Sequence, residues 1–272
     1  MKLKVNVSIL PQVYLLDKIG GERVEISLLV PPGKDPHSYS PTPGQIAKLV
    51  KSKILFLIGM PFEKALLPKI QNIAPKTAII HTEQGIERLK IKSRHDRDDH
   101  EPTENHHGEG TADPHIWLDP SLVKLQTETI LRALIQHDPA GESYYTKRAK
   151  QFISDLDQTH QSIKQLLSPL KGKTIYVFHP SFGYFTNAYQ LIQEAIEIEG
   201  KRPKIKELAL LIKKAKREKA KVIFVQPQFD KSAAQKIARA INGEVIPLNP
   251  LAQDILGNLE FMARSIKKAM IR

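Results

Sequence analysis

Twice along the chain, four short β-rich runs alternate with helical stretches, and this repetition restricts the fold more than any other feature. The first set predicts strands at 2–8 (KLKVNVS), 23–30 (RVEISLLV), 53–58 (KILFLI) and 77–81 (TAIIH), with helices near 11–19, 43–51 and 61–73. The second predicts strands at 173–178 (KTIYVF), 193–198, 221–225 (KVIFV) and 243–248 (GEVIPL), with helices near 182–190, 204–218, 230–241 and 252–270. Strands separated by helices of this length pair in parallel and carry the helices on the faces of the sheet. The expected fold class is therefore α/β, with two lobes, each a four-stranded, mainly parallel sheet flanked by helices. The lobes are expected at 1–138 and 171–272.

A different pattern joins the two sets. Residues 120–136 (PSLVKLQTETILRALIQ) read as one helix started by Pro120 and Ser121. After the break HDPAG, 142–168 runs without Gly or Pro as far as Pro169. Its apolar positions Tyr145, Ala149, Phe152, Ile153, Leu156, Ile163 and Leu167 keep a mostly three-to-four spacing. A helix of that length spans roughly 40 Å, so segment 139–170 is expected to be a stiff strut linking the lobes. Residues 93–112 (SRHDRDDHEPTENHHGEGTA) break the rhythm. They hold no large apolar side chain and are expected to form a mobile loop rich in His and acid.

Composition removes several function classes. The 272 residues suffice for two modest cores, and no run approaches the roughly 20 apolar residues of a membrane span. With no cysteine, a disulfide framework, a thiolate nucleophile and a Cys-type zinc site are all excluded. The formal charge of +12 invites a nucleic-acid reading. The lysines are, however, spread along solvated helix faces, as in 206–221, where Leu208, Leu211, Ile212 and Ala215 form the apolar stripe. Aromatic residues at 6% leave few stacking platforms, and no nucleic-acid partner is expected. The opening MKLKVNVSIL reads as a first strand and not as a secretion signal.

Any bound metal must then be held by His, Asp, Glu, amides or water. His179 directly follows strand 173–178, His37 follows strand 23–30 through the link PPGKDP, and His115 lies in DPHIWLDP. Ligands in open parallel sheets bind beyond the carboxyl ends of the strands. A lone His near a strand end is ordinarily a hydrogen-bonded residue of no further function, and His81, His137 and His160 are read that way. What distinguishes the triple is a proline directly beside each ring-bearing residue, which stiffens the presenting turn. His95, His100, His106 and His107 of the acidic loop form a candidate weak metal tract. Three histidines with an open fourth position also fit a zinc hydrolase with a metal-bound water, although no HExxH pairing is present.

The segments LLVPPGKDPHSYSPTPGQIAKL, DPHIWLDP, VFHPSFGYF and VIFVQPQF, in this order, resemble the metal-binding receptors of zinc and manganese ABC importers, the ZnuA/TroA-like solute-binding proteins. The resemblance implies two α/β lobes bridged by one long helix, and no catalysis. It implies a single metal in the cleft and delivery of that metal to a membrane permease. It also implies a monomer exported to the periplasm or cell surface, with the signal peptide removed. Carried over by motif, the ligands are His37, His115 and His179. Manganese-selective members place a glutamate at the third position, so His179 favours Zn2+ over Mn2+. Many relatives carry an aspartate as fourth ligand where this chain has Asn249, which leaves Asn249, water or Asp254 for that position. A surface adhesin would share the fold and differ only in partner.

Overall fold

The computed structural model describes residues 2–91, 111–197, 205–229 and 231–271. The described chain divides into two compact units. One comprises Met1–Ile86, Ile116–Ser162 and Leu251–Glu260; the other comprises Glu87–His115, Ile163–Pro250 and Phe261–Arg272.

The first unit holds β1 (Leu3–Val7), β2 (Val24–Leu28), β3 (Ile54–Leu57) and β4 (Ala78–His81). They form one sheet in the order β2-β1-β3-β4, and every pairing is parallel. Parallel neighbours need a crossover, supplied here by α1 (Leu10–Gly20), α2 (Pro43–Val50) and α3 (Pro61–Ile73). The central strand β3 is buried along its whole ILFL run, whereas the edge strand β4 is only half-buried. A strand with helices on both faces must be apolar throughout, which is why it reads as a continuous hydrophobic run.

The second unit repeats the plan. Strands β5 (Thr174–Val177), β6 (Ile192–Ala195), β7 (Val222–Val225) and β8 (Glu244–Pro247) pair in parallel in the order β6-β5-β7-β8. Helices α6 (Gly183–Ala188), α7 (Ile205–Arg217) and α8 (Lys231–Ala240) make the crossovers. Leu211 and Ala215 of α7, Ile237 and Ala238 of α8, and Tyr176, Ile223 and Val225 of the sheet form one buried cluster, with Leu208 and Ile212 packed at its margin. The lysines of α7 lie outside that stripe, as the sequence pattern requires, and Lys214 pairs with Glu194 at 2.5 Å. The elements sit within a few residues of their expected positions. The largest departures are β6, which ends at Ala195, and α9 (Ile255–Met270), which starts three residues later than expected. The Asp254 carboxylate accepts from the Gly257 amide at 3.1 Å and stops α9 from extending toward residue 252.

Helix α4 covers Pro120–His137 and α5 covers Glu142–Leu167, 26 residues without interruption. Tyr145, Ala149, Phe152, Leu156, Ile163 and Leu167 are all essentially fully buried, so the apolar stripe read from the sequence is the packed face. Tyr145 also donates its hydroxyl to Asp138 at 2.5 Å, and Asp138 is held by Arg23 at 2.8 Å.

In each sheet the chain moves from one central strand outward, then crosses back to the other side, which puts the reversal between β1 and β3 and between β5 and β7. In the first unit that reversal is filled by the chain's own polar groups. Gln12 Oε1 accepts from the amides of Ser8 (2.9 Å) and Ile9 (3.3 Å). Glu63 accepts from the amides of Ile58 (3.1 Å), Gly59 (2.6 Å) and Met60 (3.0 Å), closing the N-terminus of α3. Glu63 is 2% exposed, and burial pushes its carboxyl up to about 7 against the downward pull of those amides and of Ser8.

A carboxyl whose folded value of about 7 exceeds its ordinary 4.5 keeps its proton longer in the native state than in the unfolded one. This group's contribution to native stability is then fully present below about pH 4.5 and declines as pH rises to about 7, by about 3 kcal/mol across that window. Urea unfolding at the two ends of the window is expected to show that decline in the wild-type chain and a flatter response in Glu63→Gln. An equal slope in both would remove Glu63 as its source.

Candidate metal centre

His37 is delivered by the segment that leaves β2. The Leu29 and Val30 amides still bond Val7 O (2.9 Å) and Ser8 O (3.0 Å), so the pairing with β1 runs two residues past the strand. The chain then turns at Pro31–Lys34, where the Lys34 amide reaches Pro31 O at 3.2 Å and Gly33 takes φ 79°, a conformation that favours glycine. Asp35 Oδ1 accepts from the His37 amide at 2.9 Å. Further on, Gln45 fastens both ends of the segment. Its Nε2 donates to Leu29 O at 2.5 Å, while its Oε1 accepts from Tyr39 OH and the Thr42 amide, each at 2.8 Å. Thr42 and Gln45 together form the capping box that starts α2, with Pro43 in the first turn.

His115 and His179 both belong to the second unit, with ring centroids 5.7 Å apart. They are 3% and 6% exposed. His115 repeats the local arrangement of His37: Asp113 Oδ1 accepts from its amide at 2.9 Å. The same oxygen also lies 2.6 Å from His115 Nδ1. Asp113 is anchored in turn. Its amide donates to Leu89 O at 2.8 Å, and Tyr184 OH donates to its carbonyl at 2.9 Å while accepting from the Leu89 amide at 3.0 Å. A Cβ at Gly183 would stand 2.7 Å from Asp113 Oδ2, so a larger residue there would force that carboxylate to shift.

His179 comes two residues after β5, at the reversal between β5 and β7. Gln226, just past β7, bonds it in both directions: Gln226 Oε1 accepts from the His179 amide at 3.2 Å, and Gln226 Nε2 donates to His179 O at 2.7 Å. The imidazole is stacked on Phe229 at 4.8 Å and 22°. Its Nδ1 lies 2.5 Å from Glu197 Oε2, and Glu197 is 3% exposed. The Glu197 amide bonds Phe178 O at 2.8 Å, which extends the β5–β6 pairing and sets the carboxylate beside the ring.

In both rings a carboxylate engages Nδ1. Metal-ligating histidines are oriented in this way, with the second ring nitrogen bonded to a carboxylate or carbonyl. Within the second unit His115 and His179 each offer one ligand atom, and these atoms lie within 4.8 Å of one another. Asn249 Oδ1 accepts from Gln228 Nε2 at 2.9 Å. Asp254 caps α9 and interacts with Tyr14. His81 bonds Glu83 Oε1 at 2.9 Å, His137 sits in the last turn of α4, and His160 lies within α5 facing the charge of Asp119. His95, His100, His106 and His107 lie outside the described residues.

Sequence reasoning missed Asp113, Glu197 and Gln226 as functional residues. The repeated Asp-Pro-His at 35–37 and 113–115 was an available signal, because an Asp side chain readily bonds the amide two residues on. Glu197 gives no local signal: it is 18 positions from His179 in sequence.

Comparison with known proteins bears on this arrangement. The family described as zinc-uptake complex component A, periplasmic (ZnuA), matches residues 5–269. The high-affinity zinc uptake system protein ZnuA of Yersinia pestis is 26% identical, over 93% of this chain and 84% of that protein. The manganese ABC transporter substrate-binding lipoprotein PsaA of Streptococcus anginosus is 25% identical, over 89% of this chain and 77% of that protein. The crystal structure of a ZnuA deletion mutant with zinc bound superposes with a TM-score of 0.90 at 38% identity, covering 99% of this chain and 98% of that one. With a family match running through nearly the whole sequence, the chain belongs to the ZnuA family of periplasmic metal-uptake components.

Proposed function

We propose that this protein is the high-affinity zinc receptor of an ABC metal importer, holding one zinc ion through Nε2 of His115 and His179 together with His37, and delivering it to a membrane permease. The observation that carries the reading is the pair of buried histidines, His115 and His179, each with a carboxylate on its Nδ1, in a chain of this family. Zinc binds imidazole nitrogen at about 2.0–2.1 Å and takes three or four such ligands in a tetrahedral site. Three neutral nitrogens suit a borderline metal, whereas manganese favours oxygen-rich sites, so zinc is preferred over Mn2+. Water or the Asn249 oxygen, which also accepts from Gln228 Nε2 at 2.9 Å, completes the coordination.

The family is one of solute-binding receptors and not of enzymes. The protein acts as a monomer outside the cytoplasm, in keeping with the family's periplasmic description. No described helix is long and apolar enough to cross a membrane. His95, His100, His106 and His107 act as weaker auxiliary ligands that collect zinc.

Trp117 is fully buried two residues from His115 and reports on the centre. Titration of zinc into chelator-stripped protein, followed by Trp117 fluorescence under chelator competition, is expected to show one tight equivalent and then weaker ones. Only weak, multiple binding would defeat the proposal. Protons compete with the metal for imidazole, so affinity is expected to fall as pH is lowered.

His179→Ala is expected to weaken the tight equivalent by more than about a hundredfold, since even the partners behind a ligand are worth ten- to a hundredfold. Isothermal titration of that variant at wild-type affinity would sink the assignment.

A further inference from the structure

We propose that Asp113 and Glu197 are the counter-ions of the bound metal and give the site its preference for doubly charged ions. This rests on the three-histidine reading above and extends it to what sets the charge of the cargo. Neutral imidazoles contribute no charge, so a divalent ion held by three of them brings +2 into the protein. An uncompensated charge in a desolvated site is strongly disfavoured. Two carboxylates stand one ring away from the ligand atoms: Asp113 at 2.6 Å from His115 Nδ1 and Glu197 at 2.5 Å from His179 Nδ1. Both are nearly fully buried, at 2% and 3% exposure. Together their formal charge cancels that of one divalent ion.

The bonding around Glu197 is not what packing alone would require. Its Oε1 is buried with no hydrogen-bond partner among the described residues. A buried carboxylate oxygen left unsatisfied is unfavourable in the metal-free protein and is offset when a cation arrives. Asp113 is likewise given room by design of the chain, since Gly183 is the residue whose missing Cβ admits Oδ2. The carboxylates stay out of direct ligation because their near oxygens hold the Nδ1 atoms. The ligand set therefore remains nitrogen, while the charge is balanced from behind.

Charge and positioning have different signatures. The attraction of a carboxylate for a cation doubles from a singly to a doubly charged ion, whereas a ring that is merely misplaced weakens both alike. The test uses the full chain with Glu197→Gln and, separately, Asp113→Asn. Zn2+ and Ag+, a singly charged ion that also binds imidazole, are titrated under competition. Each variant is expected to lose ten- to a hundredfold in Zn2+ affinity and distinctly less for Ag+, moving the Zn2+/Ag+ ratio by roughly tenfold toward Ag+. Glu197→Asp keeps the charge with a shorter reach, so it is expected to lose affinity for both ions and hold the wild-type ratio.

Thermal unfolding without metal identifies any variant that fails to fold. The two carboxylates stand on separate segments, so the remaining variant then decides. Equal losses for both ions would overturn the counter-ion assignment and leave the carboxylates as positioning residues. Wild-type protein that takes no tight zinc equivalent would instead overturn the receptor reading itself.

Discussion

Parallel strand pairing is the constraint on which the remaining features depend. Two parallel neighbours cannot be joined by a tight turn, so every connection must climb over the sheet through a helix. All four strands of a unit consequently end at the same edge. Residues that follow different strands, far apart in sequence, are brought side by side there: Ile58–Met60 after β3 beside Ser8 after β1, and His179 after β5 beside Gln226 after β7 and Glu197 after β6. The same pairing requires continuous apolar strands such as ILFL and VIFV, which build the two cores.

The two reversal points use this geometry in opposite ways. In the first unit the free amides after β3 are satisfied by Glu63 and those after β1 by Gln12, so the place where a ligand would sit in many α/β proteins is closed by the chain itself. In the second unit Gln226 satisfies the backbone of His179, whose imidazole engages Glu197 and stacks on Phe229. One crevice is closed around the buried Glu63 carboxyl; the other holds a histidine ring at the strand ends. Identical topology therefore does not give identical function, and the difference lies in which side chain follows the strand.

Around the histidines, hydrogen bonding and electrostatics pull in one direction. Asp113 and Glu197 each engage the Nδ1 of a histidine, and Phe229 stacks on the His179 ring.

The sequence alone determined the α/β class, the two sets of four strands, the long helix ending before Pro169, and three histidines each stiffened by proline. These are legible because apolar periodicity, capping residues and turn residues act over a few positions. The capping box of Thr42 and Gln45 and the buried stripe of α5 are direct readings of that local physics. Tertiary structure alone decided that carboxylates engage Nδ1 of His115 and His179, that the Asn249 oxygen is engaged by Gln228, and that Glu197 stands behind His179. Those partners are separated by whole crossover helices or connecting loops, and a hydrogen bond between strand ends exists only once the strands have paired in register.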